Sequence, residues 1–66
     1  MRYNSPYEIG VSDDIFYNGT NYQVLINYIK GETDAKGYTP KSNRTILIDN
    51  FGNRTTINDL HKLDLK

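Results

Sequence analysis

The chain has 66 residues, 36% of them hydrophobic, with eight basic residues, eight acidic residues and no cysteine. That length holds one domain, 1–66, and excludes a second module. The lack of cysteine excludes disulfides and thiolate zinc sites together. A formal net charge of zero counts against nucleic acid, because displacing counterions from phosphates usually takes net positive charge.

Met1 to Gly10 holds Arg2, Tyr3, Asn4, Pro6 and Glu8, with no apolar run to serve as a signal-peptide core. No stretch of about 18 apolar residues follows it either, so the expectation is a cytoplasmic protein without a membrane segment. Tyr3, Tyr7, Ile9 and Val11 around Pro6 read as an edge strand or a packed arm.

Asn18-Gly19 is the strongest local signal, since a two-residue hairpin turn of type I′ needs positive φ at both central positions. Pairing Tyr17 with Thr20 sets Ile15 opposite Tyr22 and Asp13 opposite Val24. Ile15, Tyr17, Tyr22, Val24, Ile26 and Tyr28 then share one face. Phe16, Leu25 and Ile29 interrupt the opposite, polar face, which predicts cover on the back of the second strand or a bulge near residue 27.

Residues 31–43 contain Gly31, Gly37 and Pro40 and read as a long loop, with Tyr38 as its aromatic anchor. A second hairpin runs from Arg44 to Ile57, with Gly52 as its left-handed residue. A four-residue loop from Asn50 to Asn53 pairs Asp49 with Arg54 and places Ile46 and Ile48 on the face of Thr55 and Ile57. A three-residue loop slips this register by one and sets Arg54 on the isoleucine face, at the cost of a desolvated charge, so the longer loop is preferred. The tail, 58–66, reads as one helical turn, with Asn58 as its cap, followed by a short closing strand.

These elements predict an all-β fold of about five strands with a helical turn near the C-terminus. It is either a strongly bent antiparallel sheet or a small barrel. From 11 to 65 the layout resembles small SH3-like barrels, in which a helical turn precedes the last strand. That resemblance concerns the fold alone and transfers no activity. An open sheet of three or four strands with a packed C-terminal helix is the competing architecture.

Catalytic parts are missing. His61 is the lone histidine, and a metal site or an acid-base pair with Asp59 would need further convergent ligands. Asp13 and Asp14 are adjacent in a strand and point to opposite faces. No glycine-rich phosphate loop or nucleophile turn occurs. The expectation is a non-enzyme with no cofactor and no metal. The sequons at Asn18, Asn43 and Asn53 reflect abundant Asn and Thr, with turn roles for Asn18 and Asn53.

The six tyrosines carry the functional reading. Tyr and Arg supply interface area at small entropic cost. Tyr38, Phe51 and Tyr3, with Lys36, Lys41 and Arg44, form the candidate contact surface. The expected function is a small protein-interaction module that docks through the 31–43 loop and an exposed strand edge. Residues with A/T-rich codons suggest an accessory protein of a phage or mobile element that inhibits a larger host protein. A protein partner suits the mixed charge of the loop, and so small a chain often gains stability from a partner subunit, which allows a homodimer. The alternative is a small barrel binding single-stranded nucleic acid or RNA through stacking aromatics and cations; Glu32 and Asp34 oppose it.

Overall fold

Asn18 and Gly19 take φ of 51° and 80°, the positive values their turn requires. They join β1 (Asp14–Tyr17) to β2 (Thr20–Tyr28), with Tyr17 opposite Thr20 and Ile15 opposite Tyr22, as the sequence predicts. The structure is a computed structural model describing residues 1–65. Beyond β1 the pairing continues irregularly: Ser12 N–H donates to Val24 O at 2.8 Å and Val24 N–H to Asp13 O at 2.9 Å. Two residues thus oppose one, with Ser12 at φ 75°, the geometry of a bulge.

β3 (Arg44–Asp49) and β4 (Arg54–Asn58) complete one open antiparallel sheet in the order β1-β2-β3-β4. Among the described residues it has four strands, not the expected five or so. Residues 63–65, after a 3-10 turn at Leu60–Lys62, do not join the sheet; Leu65 instead meets Met1 through backbone hydrogen bonds in both directions.

One inserted residue decides the faces of β2. Val24 pairs with Leu47 and Ile26 with Ile46, leaving Leu25 as a bulge between them. A single extra residue reverses the alternation beyond it. Ile26 and Tyr28 therefore leave the face they were expected to share with Ile15 and Val24. Asn27 takes their place on the inner face.

The second hairpin corrects the sequence reading. Leu47 pairs with Thr55 and Ile48 with Arg54, so the loop is the three-residue one that charge desolvation had argued against. Two facts remove that objection. Arg54 is exposed, and the face it shares with Ile46 and Ile48 is the outer one, so nothing is desolvated. The turn chemistry also favours the short loop. Asp49 Oδ1 accepts from Phe51 N and Asn53 N, both at 2.9 Å, while Gly52, at φ 83°, donates its N–H to Asp49 O.

The inner face carries the core: Ile15, Val24 and Leu47 from the sheet, Tyr3 and Ile9 from the N-terminal arm, and Leu60 and Leu65 from the tail. The arm is packed, with a 3-10 turn at Pro6–Glu8, and contributes no strand. Asn27, brought inward by the bulge, fastens it. Its Nδ2 donates to Pro6 O at 2.9 Å and Ile9 O at 3.4 Å, and its Oδ1 accepts from the buried Thr45 hydroxyl at 2.8 Å. No helix among the described residues is long and apolar enough to cross a membrane.

Tyr3 closes the arm from the other side. Its hydroxyl donates to Asp13 Oδ2 at 2.9 Å, and the same oxygen accepts from Gly10 N at 2.9 Å. Burial, then the bond and the charge of Asp13, push the Tyr3 phenol up to about 12. The folded protein holds this proton more tightly than the unfolded chain, whose phenol ionises near the ordinary value of 10. The stabilisation is thus full below about pH 10 and is lost as pH rises through about 12. Tyr3→Phe is expected to cost about 1.5 kcal/mol at neutral pH. Urea midpoints for the two proteins should converge as pH climbs from about 10 to 12; a gap independent of pH would refute the Tyr3–Asp13 bond.

Candidate functional site

Residues 29–43 form an ordered excursion rather than a featureless loop. Gly31 N–H donates to Pro40 O at 3.0 Å, the Thr33 and Thr39 hydroxyls meet at 2.7 Å, and Asp34 N–H donates to Tyr38 O at 2.9 Å. Its tip repeats the β3–β4 turn bond for bond. Asp34 Oδ1 accepts from Lys36 N and Tyr38 N, both at 2.9 Å, and Gly37, at φ 87°, donates its N–H to Asp34 O. Asp34-Ala35-Lys36-Gly37-Tyr38 and Asp49-Asn50-Phe51-Gly52-Asn53 are thus two copies of one device, an Asp whose carboxylate organises a turn closed by a left-handed glycine. The spacing Asp-x-x-Gly was the signal in the sequence that could have revealed it.

Three side-chain bonds anchor the excursion at its base. Asn43 Oδ1 accepts from Lys30 N at 2.9 Å while its Nδ2 donates to Asp59 Oδ1 at 3.2 Å, and the Tyr7 hydroxyl donates to Glu32 Oε1 at 2.8 Å. The Glu32 carboxylate, as acceptor and charge, holds the Tyr7 phenol above its ordinary ionisation range.

This architecture places Tyr38 beside the last residue pair of β2 and β3. The Tyr28 and Tyr38 rings meet edge to face at 5.6 Å, and the Arg44 guanidinium lies 5.1 Å from the Tyr28 ring centre. Arg44 Nη2 donates to the Tyr38 hydroxyl at 2.6 Å. A guanidinium has five N–H donors, so most of its capacity is left for a ligand. A groove of about 470 Å³ opens here, lined by Tyr38, Thr39, Lys41, Ser42 and Arg44.

Of the contact residues read from the sequence, Tyr38, Lys41 and Arg44 come together in this groove, and Lys36 lies at the exposed tip above it. Phe51 does not join them. It is 89% exposed at the β3–β4 turn, the full length of β3 away from Arg44, about 17 Å at the usual rise per residue. Tyr3 is a correction: it is buried in the core, because the arm folds across the inner face and its hydroxyl finds Asp13.

Sequence reasoning missed Tyr28, which it assigned to the core face; the Leu25 bulge turns it outward. The same bulge aligns Ile26 with Ile46 on the outer face, next to Ile48. These three isoleucines are only partly buried and do not belong to the core cluster. They form an apolar strip that continues from the Tyr28–Tyr38–Arg44 cluster.

His61 does not assemble an acid-base pair. Asp59 bonds Asn43 and approaches Lys62 at 4.0 Å, while His61 Nδ1 is buried without a hydrogen-bond partner among the described residues. The chain matches no protein-family model, and no curated protein or solved structure shows significant similarity to it.

Proposed function

We propose that this protein is a small binding module that docks on a larger protein through the outer face of its sheet and the 29–43 excursion. The observation that carries this reading is the Tyr28–Tyr38–Arg44 cluster, held at the surface beside the Ile26, Ile46 and Ile48 strip. Rigid aromatics and an arginine next to apolar area are the residue types that dominate protein interfaces. Lys41 and the free donors of Arg44 suit a partner surface that offers carboxylates around an apolar centre.

Small size and a composition rich in residues with A/T-rich codons fit an accessory protein of a phage or mobile element, acting inside the cell by covering a functional surface of a host protein. Binding alone suffices for such inhibition and needs no cofactor. Nucleic acid is the second reading, favoured by Tyr38 stacking potential beside Arg44 and Lys41.

One comparison separates the two. Immobilised wild-type protein and its Tyr38→Ala and Arg44→Ala variants are exposed to host lysate, and binding of an oligothymidylate probe is titrated against salt. We expect a specific protein to be retained by the wild type and lost from both variants, each weakened by more than about 1 kcal/mol with an unchanged melting temperature. Retention by the variants removes the cluster from the interface. Oligonucleotide affinity that falls steeply with log salt transfers the site to nucleic acid.

A further inference from the structure

The sheet ends in two edges that differ sharply. β1 is a four-residue strand that begins with the charged Asp14 and runs back into the Ser12–Asp13 bulge, features that blunt an edge against pairing. β4 is less protected: Arg54-Thr55-Thr56-Ile57-Asn58 has no proline, glycine, lysine, acidic residue or bulge, and its one charge lies at its first residue, Arg54. Among the described residues no backbone group pairs with its outer side.

Register identifies which groups that edge presents. Asp49 N–H bonds Asn53 O and Asp59 N–H bonds Asn43 O, so the odd-numbered β4 residues direct their backbone groups toward β3. The N–H and C=O of Arg54, Thr56 and Asn58 therefore face outward.

We infer that β4 pairs with the β4 of a second copy of this chain, antiparallel about a two-fold axis at Thr56. That register matches all three outward-facing residues, setting Thr56 against Thr56 and Arg54 against Asn58 of the other copy. Centring on Thr55 or Ile57 would match only two. The chosen register also keeps the two Arg54 side chains apart, opposes Thr55 to Ile57, and gives a central Thr–Thr pair, all favourable cross-strand neighbours. The formal charge of zero leaves no net repulsion between copies. Pairing joins two open sheets into one and removes an exposed edge from each chain. A five-residue edge is a small interface, so the dimer is weak and concentration-dependent.

The absence of cysteine makes the register directly testable. Under mild oxidation Thr56→Cys should form a disulfide-linked dimer, because directly opposed strand residues lie about 5.5 Å apart between Cα atoms. Arg54→Cys should link at least about tenfold more slowly, since its counterpart is four residues along the facing strand, beyond disulfide reach. Thr56→Pro removes an outward N–H that the monomer does not use. Sedimentation should show it monomeric at concentrations where the wild type associates. Equal cross-linking of both cysteine variants, a wild type that stays monomeric up to about 1 mM, or continued association of a folded Thr56→Pro variant would overturn the pairing.

Discussion

Asn27→Ala is expected to lower the unfolding free energy by about 3 kcal/mol, read from urea titration. The substitution removes three hydrogen bonds at once. It leaves Ile9 O and the Thr45 hydroxyl without their partner and Pro6 O with only the 3.4 Å bond from Ile9 N, and Thr45 is only 2% exposed. Each loss costs on the order of 1 kcal/mol, more where water cannot replace the partner. A chain of this length has roughly 3–10 kcal/mol of stability in all, so the variant loses about a third of it or more. Thr45→Val severs only one of the three bonds and should cost about 1 kcal/mol. A change below about 0.5 kcal/mol for Asn27→Ala would mean that the arm is held by packing alone.

Leu47→Ala is expected to cost about 4 kcal/mol, while the same truncation one residue earlier, Ile46→Ala, should cost about 1 kcal/mol. Leu47 is 0% exposed in a central strand, so its truncation leaves a cavity that neighbours on both sides cannot fill. Ile46 lies on the outer face, partly exposed and outside the core cluster. The contrast tests the register itself. The longer turn that the sequence favoured would bury Ile46 opposite Ile57 and turn Leu47 outward, reversing the two costs. Equal losses, or a larger one at Ile46, would refute the observed pairing.

The pattern of β-branched residues and turn dipeptides made both hairpins legible, including the β1–β2 register and the left-handed Gly52. The site was legible only in part. Tyr38, Lys41 and Arg44 stood close in sequence and stayed close in space, whereas Tyr28 was hidden by a parity change that one inserted residue produces. Tyr3 was read as surface because nothing in the local sequence says which face of the sheet the arm will cross. The β3–β4 loop length turned on a similar gap. A desolvated Arg54 is a sound objection only if its face is the buried one, and that depends on where the arm and tail pack.

What the sequence determined by itself is local: positive φ at Asn18-Gly19, an Asp-x-x-Gly turn at Asp34 and again at Asp49, and strands rich in β-branched residues between them. These follow from torsional preferences and hydrogen bonds within a few residues, which need no tertiary partner. Only the tertiary structure decided which sheet face is the inside. That choice rests on competition between two half-apolar faces for one cover of arm and tail. Asn27, itself held by the Thr45 hydroxyl, satisfies the arm's carbonyls on one side, while Ile26, Ile46 and Ile48 remain on the other beside Tyr28, Tyr38 and Arg44.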